Sequence, residues 1–389
     1  MSIDSRRASP VEGLGLNPAF WRDRRVFVTG HTGFKGAWLC MVLQRLGASV
    51  HGYSLAPPSE PNLFDEARIA ELCDRHVHAD IRDLETLQEE MRVSAPDVVI
   101  HLAAQTLVGV SYSDPISTVH DNVVGTANVL QALRNVCGVR AAVIVTTDKC
   151  YQNNEQVFPY REGDALGGND IYSASKACAE ILAHAYRRSF FSGSDSDCRI
   201  ATARAGNVIG GGDWALDRLI PDCIRALVRG EAVSLRYPHA VRPWQHVLDP
   251  LYGYLLLAET LCGPEPDEYC EGWNFGPDPA GEATVLELTR AIAEAWGAEQ
   301  SVEWDPHASR LAESQVLRLD STKARVKLGW RPQWDFETGI SRTADWYRAW
   351  HDGEDVRAYS LTQIADYFGP FSTLDLAPSP FLVEQQMVS

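Results

Sequence analysis

Two side chains spaced i, i+4 can carry an oxidation: the phenol of Tyr172 and the ammonium of Lys176, in the run Tyr172-Ser173-Ala174-Ser175-Lys176. On a helix that spacing puts both on one face. A nearby ammonium, joined by an oxidised nicotinamide, favours phenolate and lowers the Tyr172 pKa. Tyr172 then serves as a base that takes a hydroxyl proton while hydride leaves the same carbon. Such a pair arises often by chance, so its surroundings matter. Upstream, a strand ending Val145-Thr146-Thr147 offers Thr147 as a partner for the substrate hydroxyl. Asp148 and Lys149 follow directly, an acid and a base side by side that out of context read first as a solvated strand-end pair and inside TTDKCY as an acid–base pair.

A second constellation lies near the start, in VFVTGHTGFKGAWL. Gly30, Gly33 and Gly36 come straight after a strand and open a helix. Glycine there removes the Cβ clash and lets backbone approach a pyrophosphate, while the helix start supplies N–H groups and a favourable dipole. Thr32, Phe34 and Lys35 belong to the same loop. The acid that commonly grips ribose hydroxyls at the end of the second strand is missing, since that strand reads His51-Gly52-Tyr53-Ser54. No arginine stands at Tyr53 or Ser54 for a 2′-phosphate either. Lys35 reads equally as such a partner or as a solvated cation. The expected cofactor is NAD, with Asp80 and Ile81 after the third strand as adenine contacts.

These groups need a scaffold. β-branched runs at Arg25–Thr29, Ser49–Tyr53, His76–Ala79, Asp97–Leu102, Ala141–Thr146 and Ile200–Ala205 alternate with helical patterns at Gly36–Leu46, Leu84–Val93, Ile116–Val136 and Tyr172–Phe190. Apolar strands alternating with helices give a parallel sheet covered on both faces, so the fold class is α/β, a Rossmann-type doubly wound sheet. After Asn207 the pattern loosens. A helix at Leu248–Leu261 and a strand at Trp273–Phe275 return to the first unit. The expected division is an N-terminal tail over 1–22, an NAD-binding domain over 23–206 and 244–276, and a smaller substrate-binding domain over 207–243 and 277–389.

Composition narrows the partners. A net charge of −17 over 389 residues argues against nucleic acid. One stretch departs from it: between Arg199 and Arg242 seven arginines face four acids, a balance suited to a phosphate-bearing ligand. No apolar run is long enough for a membrane span, and the tail has no apolar core of a secretory signal. Nine cysteines are scattered without a CxxC pair, which reads as reduced thiols in a cytoplasmic protein with no metal site. His31, His101 and His246 read as loop, strand and core residues rather than acid–base groups.

The glycine loop with the Tyr-Lys-Thr set resembles the extended branch of the short-chain dehydrogenase/reductase superfamily, from about Arg25 to Trp350. Longer strings, GHTGFKGAWL, SLAPPSEPNLF, TTDKCY, RAGNVIGGGDWALDRLIPD and RPWQHVLDPLYGYLLLAE, are similar to the CDP-glucose 4,6-dehydratase family of its nucleotide-sugar branch. Related dTDP-glucose dehydratases carry Asp-Glu after the threonine, whereas Asp148-Lys149 matches the CDP-glucose branch. The resemblance implies that Leu102, Ala103 and Ala104 line the cofactor and that Gln105 and Asn207 touch substrate. It implies Arg218 and Arg242 on the pyrophosphate, with Arg225 and Arg236 left as surface charges. It also implies a homodimer or tetramer, through the Ile116–Val136 and Tyr172–Phe190 helices.

The implied reaction has three steps. Tyr172 takes the C4-hydroxyl proton as hydride passes to NAD. The 4-ketone acidifies the C5 hydrogen, which Lys149 removes while a protonated Asp148 gives its proton to the departing C6 hydroxyl. Hydride then returns to C6 and a proton to C5. Burial would keep Asp148 protonated; desolvation and a neighbouring cation would keep Lys149 neutral. A nucleotide-sugar 4-epimerase shares Tyr172 and Lys176 but needs no such acid and base. A non-catalytic NAD-binding scaffold on the same fold is the reading from a different class.

Overall fold

Alternation along each strand decides the architecture. In β1 (Arg25–Thr29), Val26 and Val28 enter one apolar cluster and Phe27 the other. β4 (Val98–His101) and β5 (Ala141–Val145) split the same way, with Ile100 and Val143 on one side and Val99 and Ile144 on the other. Successive side chains point to opposite faces, so a strand apolar at every position must be covered twice. The computed structural model describes residues 15–193, 196–278, 282–298, 302–304 and 314–369. It shows a seven-stranded, all-parallel sheet. With β2 (Ser49–Ser54), β3 (Arg75–His78) and β6 (Arg199–Ala205), the order is Gly272–Phe275, β6, β5, β4, β1, β2, β3. The order reverses between β1 and β4, where ligands of such sheets bind beyond the strand ends.

Helices Phe34–Arg45 and Leu248–Leu261 cover one face through Trp38, Leu39, Leu251 and Leu255. Helices Leu84–Ser94, Gly125–Asn135 and Ile171–Phe190 cover the other, with Leu87, Met91, Val129, Leu133 and Ala183. The stretch read as one helix over Ile116–Val136 is broken. It comprises Pro115–Val119, a π-turn at His120–Val124 and Gly125–Asn135, after a separate short helix, Val108–Ser113.

Past Ala205 the chain builds short pairings beside the sheet. Val208–Ile209 runs parallel to Gln245–His246, and Val241–Pro243 antiparallel to Glu282–Thr284. Helices Leu219–Arg229, Val285–Trp296, Phe336–His351 and Val356–Phe368 complete this part. Residues 279–281, 299–301, 305–313 and 370–389 of the expected second domain lie outside the described residues, as do 1–14 of the expected tail. The rest of that tail is packed. Trp21 is fully buried, and Asn17 N donates to the Glu259 carboxylate at 3.1 Å. Among the described residues, no helix is long and apolar enough to cross a membrane and no cluster of ligating side chains fits a metal ion.

Candidate active site

β1 delivers its glycine loop at the sheet's reversal point under close backbone contact. Gly30 takes φ +79°, and a Cβ there would stand 2.7 Å from the Ala103 nitrogen beyond β4. At Gly36 a Cβ would stand 2.1 Å from the Gly30 carbonyl oxygen. Helix Phe34–Arg45 starts at Gly33 without a side-chain cap, so its first N–H groups face the cleft unclaimed by a side chain. Thr32 Oγ1 donates to the Leu55 carbonyl at 2.9 Å and meets Ser54 Oγ at 2.8 Å, tying the loop to the end of β2. This backbone cradle fits a dinucleotide pyrophosphate.

The cradle opens into one cleft of about 1130 Å³, and every site residue named from the sequence lines it, from Gly30 to Arg242. Asp80 and Ile81 stand at the β3 end of the cleft. The Asp80 carboxylate accepts from Arg82 Nε at 2.8 Å and is held below its usual range by that pairing. Leu102, Ala103 and Ala104 form the floor beyond β4. Lys35 has Arg218, Lys176, Asp148 and Asp213 as its charged neighbours, none of them at the Ser54 end of β2, and burial pushes its ammonium down to about 7. That placement disfavours the 2′-phosphate reading.

β5 hands over the reactive groups. Thr147 caps the short turn Asp148–Cys150 and donates to Asp148 Oδ1 at 3.0 Å. Asp148 is only 2% exposed, and its Oδ2 is buried without a hydrogen-bond partner among the described residues. Burial raises this carboxyl, against the pull of Lys149, Thr147, Arg242 and Lys35. A protonated Asp148 is thus what this environment favours. Lys149, half-buried, stands between the main cleft and a smaller cavity of about 370 Å³.

Helix Ile171–Phe190 begins at Asp170, whose carboxylate accepts from Ser173 N at 2.9 Å. Its first turns bring Tyr172 and Lys176 to the cleft. The phenol differs from the sequence reading. Burial pushes Tyr172 up to about 12, opposed by a Thr147 hydrogen bond and the Arg218 charge rather than by Lys176. The physical reason is that the Lys176 ammonium donates to the Val145 carbonyl at 3.2 Å, while burial pushes it down to about 8.

On the far wall, Arg218 donates to Asp213 Oδ2 at 2.8 Å and to Thr106 Oγ1 at 2.9 Å, bridging the two sides of the cleft. Arg242 is buried and donates to the Val241 carbonyl at 2.9 Å. Asn207 lines the cleft just after β6. Gln105 lines it too, with both amide ends engaged: Nε2 donates to Thr118 Oγ1 at 2.9 Å and Oε1 accepts from Leu107 N. The arginine-rich stretch is corrected by pairing. Arg199, Arg204, Arg218, Arg225, Arg229 and Arg236 each meet a carboxylate. Arg225 and Arg236, read as surface charges, line the cleft.

His101 is a strut: Nδ1 meets Thr29 Oγ1 at 2.7 Å, Nε2 meets Thr126 Oγ1 at 3.2 Å, and burial lowers it to about 3. His246 is enclosed by Trp38 and Trp334, and burial lowers it to about 3. Asn122, on the π-turn, was not anticipated. Its Nδ2 donates to the Gln105 carbonyl and to Ser175 Oγ, both at 2.9 Å, pinning the cleft floor to the Tyr172 helix. Nothing in the sequence singled it out, since His120, Asp121 and Asn128 are polar in the same stretch.

The family model described as GDP-mannose 4,6 dehydratase matches residues 27–343. A CDP-glucose 4,6-dehydratase of Salmonella typhimurium is 44% identical over 90% of this chain and 98% of its own. A UDP-glucose 4-epimerase of Mycolicibacterium smegmatis is 30% identical over 83% of this chain and 98% of its own. The crystal structure of DesIV, a dTDP-glucose 4,6-dehydratase from Streptomyces venezuelae with NAD and TYD bound, superposes with a TM-score of 0.71. It is 29% identical, over 85% of this chain and 98% of that one. The chain therefore belongs to the nucleotide-sugar 4,6-dehydratases of the extended short-chain dehydrogenase/reductase superfamily, on the branch of the CDP-glucose 4,6-dehydratases.

Proposed function

We propose that this protein is an NAD-dependent hydro-lyase that converts CDP-glucose to CDP-4-keto-6-deoxyglucose. The observation that carries the reading is Asp148: a buried carboxyl whose pKa burial raises, with one oxygen unpartnered among the described residues, next to Lys149 and across one cleft from Tyr172. An epimerase has no use for a general acid there, and a scaffold has no use for the Tyr-Lys-Thr set.

Bound at the Gly30–Gly36 cradle, NAD supplies the hydride acceptor for C4 and later the donor for C6. Thr147 holds the C4 hydroxyl, and Tyr172 takes its proton as the phenolate that the positive charge of bound oxidised nicotinamide draws from the buried phenol. The ketone formed at C4 acidifies the C5 hydrogen, and the Lys149 amine removes that proton. Asp148 protonates the C6 oxygen, which departs as water. Lys149 then returns a proton to C5. Asp148 regains its proton from solvent and Tyr172 gives one up, so the residues end as they began.

Arg218 and Arg242 grip the diphosphate, Asn207 orients the sugar, and Gln105 shapes the floor. The 23–206 and 244–276 segments bind NAD, and 207–243 with 277–389 bind the nucleotide sugar; the edge strand Gly272–Phe275 supports the first assignment. Two copies pair through the Ile116–Val136 and Tyr172–Phe190 stretches, where Ile116, Val124, Ile181 and Phe190 are exposed. All nine cysteines are free, which suits the cytoplasm.

The deciding experiment is incubation with CDP-, dTDP-, GDP- and UDP-glucose in deuterated water. The expected result is loss of one water with deuterium at C5, for the CDP sugar alone. A C4 epimer of unchanged mass would overturn the dehydratase reading, and bound NAD without turnover would favour the scaffold.

A further inference from the structure

Behind the reactive groups lies a buried ion pair to which the reaction assigns nothing. Glu180 follows Lys176 by one turn of the same helix and is 4% exposed. One of its carboxylate oxygens accepts from Thr146, the residue before Thr147. The other accepts from Thr202 Oγ1 at 2.6 Å and Arg204 Nη2 at 2.7 Å, both on β6. Arg204 also donates to the Tyr151 hydroxyl at 2.8 Å, which in turn donates to Asn274 at 2.6 Å. Both charges are thus hydrogen-bonded several times over. Replacing such a pair by well-packed apolar groups is often neutral or stabilising, so stability alone is a weak account of it.

We propose that Glu180 is a positioning residue for the oxidation half-reaction: it clamps the strand end carrying Thr147 to the helix carrying Tyr172 and Lys176, and sets a fixed negative charge one turn behind the Lys176 ammonium. The inference rests on the reading of Tyr172 and Lys176 given above. The clamp is geometric. Thr146 and Lys176 both reach across the end of β5, and Glu180 bonds the first while standing one turn from the second. The charge argument follows from the company Lys176 keeps. Tyr172 and Glu180 share its helix, Cys150 faces it from the turn after β5, His101 from β4, Lys35 from the glycine loop and Arg204 from behind Glu180. Glu180 is the nearby anion that favours the ammonium most strongly, against the burial that disfavours it.

Glu180→Gln keeps the size and removes the charge, leaving Arg204 uncompensated near Lys176. The alkaline limb of kcat should move down by about one pH unit, and kcat at the optimum should fall roughly 10–100-fold. A direct readout avoids turnover: the chain has five lysines, so ε-carbon-labelled lysine gives few NMR signals to assign. The Lys176 resonance should titrate at lower pH in Glu180→Gln and near the parent value in Glu180→Asp. An unchanged Lys176 titration and an unmoved limb in folded Glu180→Gln would overturn the proposal. If Glu180→Gln does not fold, Glu180→Asp carries the test. It keeps the charge but shortens the reach, so kcat should drop with the limb in place, and parental kcat would defeat the clamp. Lys176→Ala, run alongside, separates the two readings. If it forms reduced cofactor at the parental rate, the assignment of Lys176 fails; if it does not, that assignment stands whatever Glu180 shows.

Discussion

Thr147 donates to one oxygen of Asp148 at 3.0 Å, and the other oxygen is buried with no partner among the described residues. The bond orients the carboxyl, and burial holds its proton. Asp148→Asn keeps the hydrogen bond and removes the acid. Water loss should slow by about 10²–10⁴-fold, while the first appearance of reduced cofactor is preserved. In the parent enzyme, single-turnover water loss should decline as pH rises through the raised Asp148 pKa, because the carboxyl must be protonated to act. The same decline in Asp148→Asn, which has no carboxyl to ionise, would remove Asp148 from this step.

Lys149→Met tests the other member of the pair. The expected enzyme reduces its cofactor on mixing with substrate, stops at the 4-ketone stage and shows no deuterium uptake at C5. Rapid-quench mass analysis reads all three. Normal turnover would defeat the assignment of Lys149 as the C5 base.

Most of this scaffold could be read in advance, and the exceptions share a cause. Apolar runs and the glycine loop are local signals, so strands such as Arg25–Thr29 and helix Leu248–Leu261 were legible to within a residue or so. Arg199 through Arg236 looked like a basic patch because two of their six partners lie outside the counted stretch: Asp267 for Arg199, and Glu180 for Arg204 from 24 residues away. Asn122 was hidden for a related reason. A π-turn re-aims it at Gln105 and Ser175, and periodicity read the segment as continuous helix. The phenol of Tyr172 went the other way because helical spacing gives proximity to Lys176 but not the depth of burial.

The glycine loop makes a contrast within six residues. At Gly36 an added methyl meets the Gly30 carbonyl at 2.1 Å, while at Gly33 it stands 3.4 Å from the same oxygen. Gly36→Ala should destabilise the fold by about 1–3 kcal/mol or more and abolish NAD binding. Gly33→Ala should melt near the parent temperature. Thermal denaturation with and without NAD checks both, and equal behaviour of the two variants would refute the cradle geometry.

Asp249 gives the protein a pH-dependent stability that lies away from the reaction. It is fully buried on helix Leu248–Leu261, accepting from the Tyr367 hydroxyl at 2.6 Å and Gln333 N at 2.9 Å, and burial pushes it up to about 7. An unfolded aspartate titrates at about 3.9. Between these values the folded state binds the extra proton, so stability is greatest below the unfolded pKa and declines as pH rises towards about 7. Above that it levels off, because both states are then ionised. Asp249→Asn keeps an oxygen for Tyr367 and Gln333 and cannot ionise. The variant should therefore gain on the parent by roughly 2–4 kcal/mol on going from acid to alkaline pH. Urea midpoints for both proteins at about pH 4 and about pH 8 measure the difference. If the parent gains stability relative to Asp249→Asn as pH rises, the carboxylate is favoured in the fold and the sign argued here is wrong.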